Sequence, residues 1–459
     1  MIETPAVASV EGVTDRINRA AVEALAASEP AWLRERRLEA WAAYERIPMP
    51  TTRLEEWRYT DLRRKLKLDR LVPVGHVDGG SGGSGAAGFP ATSALDLPTP
   101  LAAAMAADWD ASGHLVEIDG VTAGADLLAE LAESGVILTS LRSAVVSHPE
   151  LLREWLATQA LPADAGKFQA LNAALWTDGI LLYVPKGVRM ELPVRVSRWF
   201  SRAGVAHFSR TLIVAEEGSR VSFVDESLSD DFAEQTLVSS AVEVLARKGA
   251  QIQYVSLQRM GKGAFHLSQQ KTLADRDATL DTLNVSLGGS VGRVDLTAEL
   301  RGPGANSDML GLYFGDSDQH FDHNTRQDHL APNAKSDLLY KGALDDHARA
   351  VFRGIIRVHK GAQQTDAYQT NRNLLLSENA RADSLPNLEI EADDVRCSHG
   401  ATIGELDQEH LFYLMSRGLR RSHAERLVVL GFLGEVLSRL PLGGVVEKVT
   451  DIIEQRLNG

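Results

Sequence analysis

Cysteine is almost absent: Cys397 is the only one in 459 residues. One thiol excludes an internal disulfide framework, and it excludes a zinc or iron-sulfur site built from several thiolates of a single chain. Any cluster held here must borrow ligands. Long apolar runs are lacking too, since no stretch reaches the roughly 18 residues that a membrane span requires. The opening MIETPAVASVEG has acidic residues and no basic stretch before an apolar one, so no secretory or organellar signal is expected and a cytoplasmic location is. Positive charge is in deficit, with 48 Lys and Arg against 62 Asp and Glu. That balance disfavours a surface that neutralises phosphates, and no nucleic-acid partner is expected. Catalytic signatures are missing as well: there is no G-x-x-x-x-G-K-[ST] phosphate loop, no G-x-S-x-G elbow, no H-E-x-x-H and no cysteine pair. The chain therefore reads as unable to hydrolyse a nucleotide by itself.

What is present is a globular composition, 44% hydrophobic and 24% charged, over about three domain lengths. Residues 1–77 read as helical. The apolar positions Ile17, Ala20, Ala21, Ala24 and Leu25 share one face of a first helix, and Ser28 is the expected cap of a second, AWLRERRLEAWAAYER, which ends before Pro48. Trp57 and Tyr59, in EEWRYTDL, are read as packing aromatics. DGGSGGSGAAG makes residues 78–100 a flexible linker. Residues 101–166 form a mixed α/β lead-in, with HLVEIDG a strand, ADLLAELAESG a helix closed by Gly135, and HPELLREWLATQ another helix.

From 167 to 403 the chain repeats itself. FQALNAALWTDGILLYVPKGV opens a β-rich region in which each unit has an alternating strand, a polar turn, a small residue and a second alternating strand. Aligning Val188, Ser219, Ala250, Ala278, Ala305, Ala334 and Ala362 gives a period in the solenoid range. The spacing predicts a β-solenoid whose inward residues include Leu212, Val214, Val242, Val244, Ile252 and Tyr254. An antiparallel sandwich is the competing architecture. Helical segments at both ends would cap the open coils. Residues 404–459 return to helical periodicity, with DQEHLFYLMSR closed by Gly418, a capping box of Ser422 and Glu425 opening HAERLVVLGFLGEVLSRL, and VVEKVTDIIEQRL as a third helix. The second of these is apolar around much of its circumference, so it must be covered on more than one side, by this chain or by a partner.

Two constellations could carry chemistry. HFDHNTRQDH holds His320, Asp322 and His323, but on a strand His320 and Asp322 share a face while His323 points the other way, which splits the set. A metal site would need them aimed at one point, and a hydrogen-bonded coil needs nothing special. In DDVRCSHGAT, Cys397 and His399 are also two apart and project together if extended, which makes half of a soft-metal site. A free cysteine is among the most buried residue types and usually only packs, which is the commoner reading.

NLEIEADDVRCSHGATIGELDQEHLFYLMSRG closely resembles the signature of the SufB/SufD family of the SUF iron-sulfur cluster assembly system. FQALNAALWTDGILLYVPKGV, YKGALDDHARAVFRGIIRVHKGAQQTDAYQTNRNLLLS and EEWRYTDL are similar to it as well. The SufB side of the family typically carries several cysteines, one within a CGAHT-like stretch, and the single Cys397 resembles the SufD side. The resemblance implies a right-handed parallel β-helix between helical segments. It implies pairing with a SufB-like paralogue through the β-helices, with a homodimer as the other assembly. It also implies docking of a SufC-like ABC ATPase on the C-terminal helices, placed here at Phe412, Arg417, Leu427 and Phe432. His399 is the residue that carries over by position, at the junction with the paralogue. There a transient iron-sulfur cluster would be shared, none being held stably by the isolated chain; Cys397 carries over less directly. Two rivals remain: a metal-dependent β-helix enzyme, a lyase or hydrolase using His320, Asp322 and His323, and an architectural subunit in which His399 has no chemical part.

Overall fold

In the computed structural model, residues 17–75, 98–105 and 110–457 are described. The Gly/Ser stretch of the expected linker lies outside them. Two ten-stranded sheets face each other, and the chain visits them in turn, so that each strand is hydrogen-bonded to the strand two places on in sequence. His320–His329 thus pairs in parallel with both Val291–Leu300 and Arg349–Val358. This is a β-solenoid of about eight turns flanked by helices at both ends of the sequence. Parallel pairing of this kind overturns the sandwich alternative.

The register follows the small-residue alignment one position later through four pairs: Arg220 pairs with Gln251, Gln251 with Thr279, Thr279 with Asn306, and Asn306 with Lys335. Ala362 is corrected, since Lys335 pairs with Asp366 and not with Gln363, a turn longer by three residues. Ala250, Ala278, Ala305, Ala334 and Ala362 are all fully buried. A larger side chain there would push neighbouring coils apart. Before four of them the backbone has positive φ, at Gly249, Asp277, Gly304 and Asn333. Asp and Asn are the non-glycine residues that tolerate this region best.

The expected inward set is corrected at one strand. Val242, Val244, Ile252 and Tyr254 do lie in the coil interior with Ile213. Leu212 and Val214 instead face outward, in the cluster with Trp155, Phe168 and Leu171. Helices cover that face, so both faces of the strand are apolar and alternation no longer identifies the inside. The covering element is a second correction: FQALNAALW begins as a buried helix, Lys167–Leu175, before the first long strand, Asp178–Val184. A short, wholly buried apolar segment carries no periodicity that separates helix from strand. Asn172 ties this helix to the sheet through Nδ2 to the carbonyls of Ser209, 3.2 Å, and Ser239, 3.0 Å.

Smaller departures have local causes. The first part of ADLLAELAESG belongs to a strand, Val121–Leu127, leaving a short helix Ala129–Glu133 before Gly135. Pro30, not Ser28, stands at the cap of Ala31–Arg46, and Arg420 precedes Arg421–Arg439 without a side-chain cap, so Ser422 lies within that helix. Glu425 is drawn to Arg421 Nε, 2.8 Å, in place of closing a capping box.

The two ends of the solenoid differ. At its start Gly113–Ile118 joins one sheet and is covered by the antiparallel Val121–Leu127, while Ile137–Ser140 closes the other by pairing antiparallel with Asp178–Val184. At the far end Arg381–Ile390 and Val395–Glu405 are the outermost strands. The C-terminal helices do not cap that end, contrary to expectation. Val429, Leu433, Val436 and Leu437 of Arg421–Arg439, with Val445, Val449 and Ile453 of Gly443–Leu457, lie on the outward apolar residues Val255, Leu283, Leu310, Leu312 and Leu339. That row along the flank offers far more apolar area than two terminal strands do.

Candidate functional site at the open end of the solenoid

Among the described residues, the outer edges of Arg381–Ile390 and Val395–Glu405 have no strand against them. A parallel edge of this length with free N–H and C=O groups is a template for another chain. Apolar side chains accompany it, with Ile390 and Ile403 exposed.

Cys397 and His399 lie on this last strand, with Cys397 opposite Ala367 and His399 opposite Gln369. Cys397 is half-buried and packs on the cluster of Ile356, Val358, Ala362, Ala367 and Ala392. Burial pushes its thiol pKa up, and the Asp366 carboxylate adds to the effect, so the thiolate form is disfavoured. His399 is exposed. The pair therefore projects together, as an extended strand requires, with the imidazole the more exposed of the two.

Behind His399 the interior is polar. Tyr313 OH donates to Asn373 Oδ1 at 2.6 Å, Asn373 Nδ2 donates to Asn371 Oδ1 at 2.8 Å, and Asn371 Nδ2 donates to the Tyr340 carbonyl at 3.2 Å. Gln369 Nε2 donates to the Asn387 carbonyl at 3.1 Å, while its Oε1 is buried without a partner among the described residues. Sequence reasoning missed this layer. Its signal was the alternation Gln369, Asn371, Asn373 on one face of a strand.

The second constellation is split by the structure. His320 and Asp322 face outward beneath the amino-terminal segment: Thr60 Oγ1 lies 2.8 Å from His320 Nε2 and also donates to Asp322 Oδ2. Arg293 Nη1 donates to Asp322 Oδ2 at 2.5 Å and to the Glu56 carbonyl at 2.8 Å, and its guanidinium lies 3.6 Å from the Trp57 ring. His323 points inward, stacked on Tyr313 at 4.7 Å and bonded to Ser286 Oγ at 3.1 Å. Burial pushes both imidazoles down to about 4, so they are neutral at pH 7. No three His, Cys, Asp or Glu side chains gather into a ligand set among the described residues. Trp57 is buried, as the packing reading expected, and it carries the underside of a strap from 51 to 75 that crosses the outer face of the solenoid.

On the C-terminal helices Phe412 is 74% exposed, Tyr413 57%, and Met415 and Leu427 are exposed as well. Arg417 lies beside them, its guanidinium 5.2 Å from the Tyr413 ring. Phe432 departs from the expected docking set: Lys341 Nζ lies 4.4 Å above its ring and donates to its carbonyl at 2.8 Å, which commits it to the contact with the solenoid. Tyr413 and Met415 were not singled out in the sequence, because five apolar or aromatic residues in a row, Leu411 to Met415, hide which of them faces outward.

These features define a class first: a β-solenoid closed at one end, open at the other, with an imidazole on the open rung. The chain belongs to the SufBD family. The profile described as "SUF system FeS cluster assembly, SufBD core domain" matches residues 199–432, and that of the SufBD protein N-terminal region matches residues 116–196. The iron-sulfur cluster assembly protein SufD of Bacillus subtilis is 30% identical over 94% of this chain and 95% of its own length. An iron-sulfur cluster assembly SufBD family protein of Staphylococcus saprophyticus is 30% identical over 69% of this chain and 68% of its own. The iron-sulfur cluster assembly protein SufB of Bacillus subtilis is 28% identical over the same shares. A role in iron-sulfur cluster assembly follows from the family. No described helix is long and apolar enough to cross a membrane.

Proposed function

We propose that this chain is a SufD-like, non-catalytic scaffold subunit that joins a SufB-like paralogue through its open terminal rung. A nascent iron-sulfur cluster forms at the junction, with His399 supplying one imidazole and the paralogue supplying the thiolates. The single observation that carries this reading is the placement of His399, exposed on an unpaired parallel edge whose only cysteine is packed and disfavoured as thiolate. Likeness to SufD over nearly the whole chain, against two thirds for SufB, supports the SufD side. The cluster is transient in this chain, since one imidazole cannot hold it alone.

A SufC-like ABC ATPase docks on the exposed face of Phe412, Tyr413, Arg417 and Leu427, where aromatic and arginine side chains concentrate. Nucleotide hydrolysis there would shift the flank of a stiff stack and so move the junction. The test is co-expression with SufB-like and SufC-like chains and purification through a tag on this one. Ile390→Asp with Ile403→Asp is expected to lose the paralogue and keep the ATPase. Phe412→Ala with Tyr413→Ala is expected to do the reverse. His399→Ala should keep both partners and lower cluster yield. Unchanged yield in that intact complex removes His399 from the mechanism and leaves an architectural subunit.

A further inference from the structure

The strap from 51 to 75 inverts the charge balance of the chain: it holds seven Lys and Arg against four Asp and Glu, in a protein whose formal net charge is -14. Its inner side is apolar, with Leu62, Leu66 and Leu71 buried. Gln235 pins the backbone between them, since its Oε1 accepts the Lys67 N–H at 2.8 Å and its Nε2 donates to the Lys65 carbonyl at 2.6 Å. Arg63, Arg64, Lys67 and Arg70 are thereby left exposed on a fixed segment. Elsewhere on the outer face arginines are paired, Arg293 with Asp322 at 2.5 Å, Arg301 with Glu299 at 2.8 Å and Arg349 with Asp383 at 3.1 Å. The strap departs from that habit. Arg64 Nε stands 3.6 Å from Asp61 with its side chain 88% exposed, and the other Asp61 oxygen, Oδ1, accepts the Arg63 N–H at 3.1 Å. Among the described residues, no carboxylate lies within ion-pair distance of Arg63, Lys67 or Arg70, neither Asp69 beside them nor Glu234 in the adjoining turn. Like charges held close on an ordered backbone repel, and a counter-charge from outside relieves them.

We propose that this basic side of the strap docks an extended acidic segment of another protein. The four cations are spread over eight residues and all face solvent, so they do not converge on one point as a site for a small anion does. Three of the four are arginines, whose planar guanidinium matches a carboxylate in two parallel hydrogen bonds. A nucleic acid or an anionic lipid surface is broad and brings its charge against the acidic remainder of the chain, whereas a short segment meets the strap alone. Exposed pairs contribute little each, so the association is weak, steered and sensitive to salt. It does not depend on the role of His399.

The experiment follows the fluorescence anisotropy of a fluorescein-labelled decaglutamate titrated with the full chain at low salt. Saturable binding is expected, and it should fade as ionic strength rises. Arg63→Glu, Arg64→Glu, Lys67→Glu and Arg70→Glu combined should weaken it by about tenfold or more at an unchanged thermal midpoint, because all four side chains are exposed. Arg63→Gln with Arg70→Gln, which removes two charges and reverses none, should weaken it by about threefold and serves if the reversed variant does not fold. Arg420→Glu with Arg421→Glu, at the other arginine-rich surface, should leave it unchanged. Absence of saturable binding overturns the proposal, as does full affinity in the strap variants or an equal loss in the Arg420 and Arg421 variant. Tighter binding of a single-stranded DNA of equal charge, or of phosphatidylglycerol vesicles, overturns it as well, since the strap then serves a different class of partner.

Discussion

Reciprocal packing of tyrosine against glycine governs the middle of the solenoid at the scale of single residues. Gly311 pairs with Tyr340 and Tyr313 with Gly342 in the same parallel register. A Cβ on Gly342 would sit 1.8 Å from the Tyr313 ring, and one on Gly311 would sit 2.2 Å from Tyr340. Gly342→Ala is expected to destabilise the chain by about 1–3 kcal/mol or more through overpacking, read as a lowered denaturant midpoint. Gly187→Ala, at φ +73 with nothing within 4 Å, has only the backbone cost of about 1 kcal/mol. Equal effects of the two would show that the ring is not wedged as described.

Buried charge acts at the same scale. Glu117 is fully buried beside Arg198, whose Nη1 lies 2.6 Å from its Oε2, and Arg198 also binds Asp225 at 2.8 Å. Burial outweighs the attraction of Arg198 and pushes the Glu117 carboxyl up to about 7. Its folded state therefore holds the proton more tightly than the unfolded chain does, so its contribution to stability is present at low pH and is lost as pH rises from about 4.5 towards 7. Urea midpoints of the unaltered chain and of Glu117→Gln, compared between pH 5 and 8, should converge at the low end and differ in slope above it. Parallel profiles would remove Glu117 from the pH dependence.

At the scale of elements, the strap from 51 to 75 is fastened by burial of Leu62, Leu66 and Leu71, by pairing of Val72–Pro73 with Val205–Ala206, and by directed polar contacts. Thr60, Trp57 and the Glu56 carbonyl engage His320, Asp322 and Arg293, and Gln235 exchanges hydrogen bonds with the backbone of Lys65 and Lys67. Trp57→Ala removes the ring under Arg293 and leaves a cavity, for which a loss of about 3–5 kcal/mol is expected. The strap should then become sensitive to limited proteolysis while the far strands stay protected. Cleavage at an unchanged rate would mean that the strap is held elsewhere. Nothing near this segment in sequence announces the contact, because Thr60 and His320 are 260 residues apart. What was legible there was the EEWRYTDL motif and the strand parity that separates His320 and Asp322 from His323.

At the scale of the whole molecule, the asymmetry of the two ends matters most. Antiparallel strands close the start, the C-terminal helices lie along one flank, and no strand among the described residues pairs with the last rung, which carries His399. On the proposed reading the bare edge and the exposed residues of Gln408–Ser416 each take their own partner. Variants at Ile390 and Ile403 and variants at Phe412 and Tyr413 should affect assembly independently, and their effects on complex stability should add. Strong coupling between the two sets would argue for a conformational link through the stack.

The sequence by itself determined the coil: the period, the small corner residues from Ala250 to Ala362, the parity of each strand and the motif around His399 are all local, and local sterics suffice to read them. Only the tertiary structure decided what each face meets. Leu212 and Val214 could not be placed inside or outside until a helix was known to cover them, and the C-terminal helices could not be assigned to an end or a flank until the outward apolar row of the second sheet existed. Gln369 gained its place opposite His399 in the same way, since opposition across a rung is fixed by the register of two strands, a long-range pairing that no single segment encodes.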